Sequence, residues 1–172
     1  APNGKVVRLD FDNISLGFEE VISETTSSIR SVDFINQSFV INYLDNTFSN
    51  IKYFSKDGNE IGSLKLDSLG SISGFTGRKE DKSVFYSFTN FKQPAQIYKL
   101  NFLTGSSELF WEERLSNFDA NNYETRLEFF PSKDGTLIPI HITHIKDLLI
   151  DPNTPFLLYG YGGFNISILT RF

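Results

Sequence analysis

Ile51-Lys52-Tyr53-Phe54-Ser55-Lys56-Asp57-Gly58-Asn59-Glu60-Ile61 is the stretch on which the fold turns. An apolar, aromatic run meets Lys56-Asp57-Gly58, and a second run, Ile61 to Leu66, follows. Asp-Gly between two such runs signals a hairpin, because glycine accepts the positive φ that a tight reversal requires. Upstream lies another strand-like run, Phe39-Val40-Ile41-Asn42-Tyr43-Leu44. The same order of events recurs downstream: Val84-Phe85-Tyr86-Ser87-Phe88, then Ile97-Tyr98-Lys99-Leu100-Asn101-Phe102, a turn at Thr104-Gly105, and Glu108 to Trp111. Ile51 and Ile97 hold equivalent places about 46 residues apart. A similar interval earlier lies Val6-Val7-Arg8-Leu9-Asp10, with Asp12-Asn13 as its turn.

Strand repeats with a period in the forties are the sequence mark of β-propeller blades. An ordinary antiparallel sheet with evenly spaced hairpins is the alternative. Two and a half blades cannot close a ring, so open strand edges are expected. The pattern changes near residue 116, where Ser116-Asn117-Phe118-Asp119-Ala120-Asn121-Asn122 is polar and linker-like. Beyond it, Thr125 to Phe130 predicts a strand, Pro131 to Gly135 a turn, and Thr136 to Thr143 an alternating strand. A loop over Asp147 to Thr154 leads into Pro155-Phe156-Leu157-Leu158-Tyr159, an unbroken apolar run of the kind found in buried central strands. No amphipathic helix is legible. The expected boundaries are therefore residues 1–115 for the blades and 116–172 for a second unit.

The composition narrows the classes of function. Eighteen Phe and seven Tyr in 172 residues can fill a large core. The net charge is −5 and no segment concentrates Lys or Arg, which argues against nucleic acid or an anionic membrane as partner. No apolar run reaches transmembrane length. Without cysteine there is no disulfide, thiolate metal site or thiol chemistry. That suits a reducing compartment, and a cytoplasmic setting is expected. The chain contains no Met, even at position 1, and starts without a signal-peptide core, so it reads as an internal fragment of a longer protein.

Several candidate groups lose to simpler readings. His141 and His144, the only histidines, are three apart on a strand and so fall on opposite faces; no metal and no cofactor is expected from them. The nucleophile-elbow pattern Gly-x-Ser-x-Gly is absent, since Gly70-Ser71-Ile72-Ser73-Gly74 carries Ile72 at its centre. Glu19-Glu20 and Glu112-Glu113 are adjacent pairs that a strand would turn to opposite faces, which fits solvated edges better than acid–base work. Asn13-Ile14-Ser15, Asn36-Gln37-Ser38 and Asn165-Ile166-Ser167 match the glycosylation pattern by chance as readily as by function. Tyr159-Gly160-Tyr161-Gly162-Gly163-Phe164-Asn165 is not a phosphate loop. It stands either as a glycine-rich turn at a strand end or as a ligand-facing loop at the end of a central strand.

Three segments resemble the prolyl oligopeptidase family: Asp119 to Thr125; Phe130-Pro131-Ser132-Lys133-Asp134-Gly135-Thr136 with Ile138-Pro139; and Tyr159 to Ser167. Gly74 to Asp81 and Phe85 to Thr89 are similar to that family's last blade. The resemblance implies a mainly β chain: the last two to three blades of a propeller, then the first strands of an α/β-hydrolase domain. It implies a serine peptidase that cleaves short proline-containing peptides after proline. Tyr161 would donate its hydroxyl to the oxyanion, and Phe164 would line the proline pocket. The triad serine, aspartate and histidine would lie beyond residue 172. The sequence departs from the family where no proline follows Asn165-Ile166-Ser167, and where Asp147 and Pro152 replace common glycines. A non-enzymatic module that pairs its blade edges with another chain is the competing expectation.

Overall fold

The structure is a computed structural model that describes residues 1–164 and 166–172. Among the described residues, twelve strands form four antiparallel sheets. Strands β1 (Val6–Leu9) and β2 (Phe18–Ile22) make a hairpin. Strands β3 (Ser28–Ile35), β4 (Ser38–Asp45), β5 (Phe48–Ser55) and β6 (Glu60–Ser63) meander into a four-stranded sheet. The same up-and-down order builds the next sheet from β7 (Ser71–Ser73), β8 (Ser83–Asn90), β9 (Gln93–Asn101) and β10 (Ser106–Glu112). A last hairpin joins β11 (Tyr123–Pro131) to β12 (Leu137–Ile145). The only helical turns among the described residues are two short 3₁₀ turns, Ile14–Leu16 and Ala120–Asn122.

The repeat is therefore real at the level of topology. Ile51 and Ile97 both sit on the third strand of a four-stranded meander, β5 and β9. The Val6 run survives as the two-stranded β1–β2 unit. At the Asp57-Gly58 turn, Gly58 has φ +85° and a Cβ there would lie 1.9 Å from the Val21 carbonyl oxygen. Only glycine fits that approach of β2 to the turn.

Burial explains why β4 is apolar along its length while β8 alternates. Val40 faces the next sheet, in a core with Ile35, Ile51, Ile72, Phe75, Val84, Tyr86, Phe88 and Leu100. Ile41 and Tyr43 face the other way, packing with Ile22 and Phe54 beneath the β1–β2 hairpin. Both faces of the β3–β6 sheet are thus covered. The β7–β10 sheet is covered on one face: Val84, Tyr86 and Phe88 are buried, whereas Phe85, Phe110 and Trp111 are exposed. Polar groups stitch the seam between the sheets. Asn42 Nδ2 donates to the Ile72 carbonyl (3.1 Å), the Ile72 N–H to Ser49 Oγ (2.9 Å), and the Ser49 N–H to the Gly70 carbonyl (2.9 Å).

Three strands escaped the sequence reading. β3 contains a register shift between Ile29 and Ser31, which breaks the two-residue alternation. β7 is only three residues long, and β2 carries Glu19 and Glu20 where a hydrophobic pattern would be sought. Those glutamates pair with Arg8 and Lys5 across the hairpin, each at 2.7 Å, so the solvated-edge reading holds. β6 stops at Ser63 rather than at Leu66, although Leu64 and Leu66 still pack against the core.

One expectation is overturned. Pro155 to Tyr159 forms no strand, and Leu157 is 94% exposed. A strand exists only with a partner for its N–H and C=O groups. Among the described residues, no strand pairs with this segment.

Candidate functional site

The glycine-rich segment lies on the tail that follows β12. Tyr161 is half-exposed, and its hydroxyl folds back over Gly163, where a Cβ would sit 2.9 Å from that oxygen. Phe164 has φ +55° and is 93% exposed. A non-glycine residue in the left-handed region is uncommon. The Ile166 N–H donates to the Gly163 carbonyl (3.1 Å). Asn165, and with it the third glycosylation match, lies outside the described residues.

The tail returns to the edge of the second four-stranded sheet. Thr170 is buried, and its hydroxyl meets Ser71 Oγ at 3.0 Å. The Phe172 N–H donates to Thr89 Oγ1 (3.2 Å), while the Phe172 ring lies edge-on to Phe118 at 4.9 Å. Between this anchor and the sheet runs a groove of about 480 Å³, lined by Ser71, Thr89, Tyr159, Tyr161 and the stretch from Ile166 to Arg171. Tyr161 thus faces a concavity bounded by a blade edge, whereas Phe164 does not line it. Ser71, Thr89, Thr170 and Arg171 were not legible as site residues. The only sequence signal was the polar Ser71-Ile72-Ser73 between two glycines, which makes a short edge strand rather than a nucleophile turn.

The two histidines diverge, as alternation requires. His144 lies 3.3 Å from Glu124 across the β11–β12 pair. His141 Nε2 meets Thr47 Oγ1 at 2.5 Å and is packed by the rings of Phe48 and Phe91. Burial pushes the His141 imidazole below its ordinary pKa. Among the described residues, no group of three or more His, Asp and Glu side chains is arranged to hold a metal ion.

Residues 1–113 match the family model described as the N-terminal β-propeller domain of prolyl oligopeptidase. The chain belongs to the prolyl oligopeptidase family. Its relatives include a prolyl endopeptidase of Elizabethkingia meningoseptica, 35% identical over all of this chain and 24% of that protein. Prolyl oligopeptidase ophP of Omphalotus olearius is 32% identical, again over all of this chain and 24% of its own length. A solved structure from a study of inter-domain dynamics in two prolyl endopeptidases superposes with a TM-score of 0.92 at 33% identity, covering 100% of this chain and 26% of that one. Prolyl oligopeptidase B of Galerina marginata, without ligand, gives 0.82 at 27% identity over 99% of this chain and 25% of its own. The chain thus spans about a quarter of the prolyl oligopeptidase relatives it matches, and the meandering sheets of residues 1–113 are propeller structure of that family.

Proposed function

We propose that the chain is part of a serine oligopeptidase that hydrolyses short peptides on the carboxyl side of proline. In this reading residues 1–115 are propeller blades and residues 116–172 open an α/β-hydrolase domain. The triad serine, aspartate and histidine lie outside these residues. The observation that carries the reading is Tyr161: a tyrosine on a glycine-flanked segment that lines a groove at a blade edge. A donor placed there can stabilise the negative charge that develops on the scissile carbonyl, while a backbone N–H beside the serine supplies the second donor. Phe164 offers an exposed aromatic face suited to the flat proline ring. The exposed run Phe156-Leu157-Leu158 is an apolar segment that strands of a hydrolase sheet would cover.

The test is Tyr161→Phe in the longer protein that contains this chain. Loss of one oxyanion donor lowers kcat by about 10²–10³ with little change in KM. An unchanged kcat refutes the role. The isolated 172 residues are expected to show no peptidase activity and no labelling by a serine-directed probe, because in this reading nucleophile and base lie outside them. The competing reading, an edge-pairing interaction module, draws support from the exposed Phe110 and Trp111 on β10. A defined complex formed through β10 in the absence of any peptidase activity in the longer protein favours it.

A further inference from the structure

His141 occupies a position that neither the blade repeat nor the peptidase reading requires. It lies on β12, yet its partners come from both four-stranded sheets. Thr47 and Phe48 mark the start of β5 in the first sheet, and Phe91 forms the turn between β8 and β9 in the second. The imidazole enters between two phenyl rings, at 6.1 Å from Phe48 and 4.9 Å from Phe91, with the Thr47 hydroxyl on Nε2. We propose that His141 is an acid-sensitive latch: neutral, it pins the β11–β12 hairpin across the seam between the two sheets, and protonated, it lets the hairpin go.

The physical case rests on what surrounds the ring. Of the charged residues on the elements packed around it, those nearest its contacts along the chain are Asp45 before β5, Lys92 after Phe91, and Arg126 and Glu128 on the paired strand β11; Lys52 on β5, Lys99 on β9, Glu124 on β11 and His144 on β12 lie further along. Arg126 and Glu128 flank Leu127, the residue opposite His141, so they project from the other face and lie 3.6 Å from each other. None of these groups moves the ionisation of the imidazole; burial is the sole cause of its downward shift. A protonated ring would gain some attraction from the two aromatic faces. Loss of water opposes the charge and lowers the imidazole pKa. Thr47 satisfies Nε2 in either state, accepting from N–H or donating to the bare nitrogen, so the switch is one of charge burial rather than of a lost hydrogen bond. Elsewhere the hairpin holds to the blades lightly: many of its residues are exposed, including Phe129, Phe130, Leu137 and Ile145.

The inference is independent of the peptidase reading and is tested on the 172-residue chain. Amide hydrogen exchange over Tyr123–Ile145, corrected for intrinsic rates, is compared at pH 7.5 and pH 5. Hairpin protection is expected to fall on acidification by up to about tenfold for each unit by which the imidazole pKa is depressed, while β4 and β5 hold theirs. His141→Phe is expected to abolish the pH response, and His144→Gln to leave it intact. Equal protection at both pH values in the native chain, or a response retained in His141→Phe, overturns the latch. NMR titration of the native imidazole gives a measurement free of any folding defect in the variant. A pKa at or above that of an exposed histidine overturns the proposal; a lower one supports it.

Discussion

Phe39-Val40-Ile41-Asn42-Tyr43-Leu44 and Pro155-Phe156-Leu157-Leu158-Tyr159 are nearly the same kind of sequence, and they meet opposite fates. In the first, Val40 and Ile41 are buried to 1% and 0% exposure; in the second, Leu157 stays 94% exposed. The difference does not lie in the residues. β4 has β3 and β5 hydrogen-bonded on its two edges, the second four-stranded sheet against one face and the β1–β2 hairpin against the other. The tail run has no such neighbours among the described residues. An apolar run thus specifies that a segment wants to be central, while its burial depends on whether partners for edges and faces belong to the same folded unit.

The strongest way to break this comparison is to apply the same truncation to both runs. Ile41→Ala should cost about 2–5 kcal/mol, as expected for emptying a filled core site. Leu157→Ala should lie within about 0.5 kcal/mol of the native chain, because nothing covers it. Chemical denaturation of both variants reads the contrast directly; a large loss in Leu157→Ala would mean the tail run is buried after all. In the longer protein the second number should rise towards the first if hydrolase strands close over it.

A smaller effect tests the approach to β7, packed on β8 beside the seam that buries β4. Gly70→Ala places a Cβ 2.5 Å from the Phe88 ring and 2.6 Å from the Thr89 carbonyl oxygen. It should destabilise by about 1–3 kcal/mol through overpacking. A neutral result would show that the segment leading into β7 can shift away from β8. The pH dependence is weaker again. Burial lowers the folded-state pKa of His141, so the unfolded chain takes up the proton first. The contribution is nil above about pH 7.5, and stability is lost as pH falls below the unfolded value near 6.5. Denaturant midpoints measured between pH 8 and pH 5 should therefore decline, and the part due to this ring should be missing in His141→Phe.

The smallest expected effect lies in the connection to the exposed run. Asp147 has φ +60°, in the left-handed region, at a position where the family resemblance leads one to expect glycine. Asp147→Gly should be neutral or stabilising by less than about 1 kcal/mol, whereas Asp147→Val should cost about 1–2 kcal/mol. Thermal melts of the two variants check the ordering, and a Val variant as stable as the native chain would remove any strain from this turn.

Much of the fold could be read from the chain. The hairpins at Asp57-Gly58 and Thr104-Gly105, the strand pairs around them and the spacing between them were all legible, because turn chemistry and two-residue alternation act over a few residues. The misses share a cause. β3 hides behind its bulge, β7 is too short for alternation to show, and β2 exchanges hydrophobic pattern for ion pairs to Arg8 and Lys5. The site was legible only in part. Tyr161 was singled out by the family resemblance of its glycine-flanked segment, but the partners that bound its groove, Ser71, Thr89 and Thr170, lie about 70–100 residues away along the chain or carry no distinctive pattern.

By itself the sequence determined the strand repeat, its turns and the family to which those motifs point, since each of these depends on local backbone preference and on order along the chain. The tertiary structure alone decided that the first four-stranded sheet is buried on both faces and the second on one. It also decided that His141 bridges two sheets, that Thr170 anchors the tail, and that the most apolar run near Tyr161 stands in solvent. These outcomes depend on which distant segments are present to share a hydrogen-bonded edge or exclude water from a face, and no local pattern carries that information.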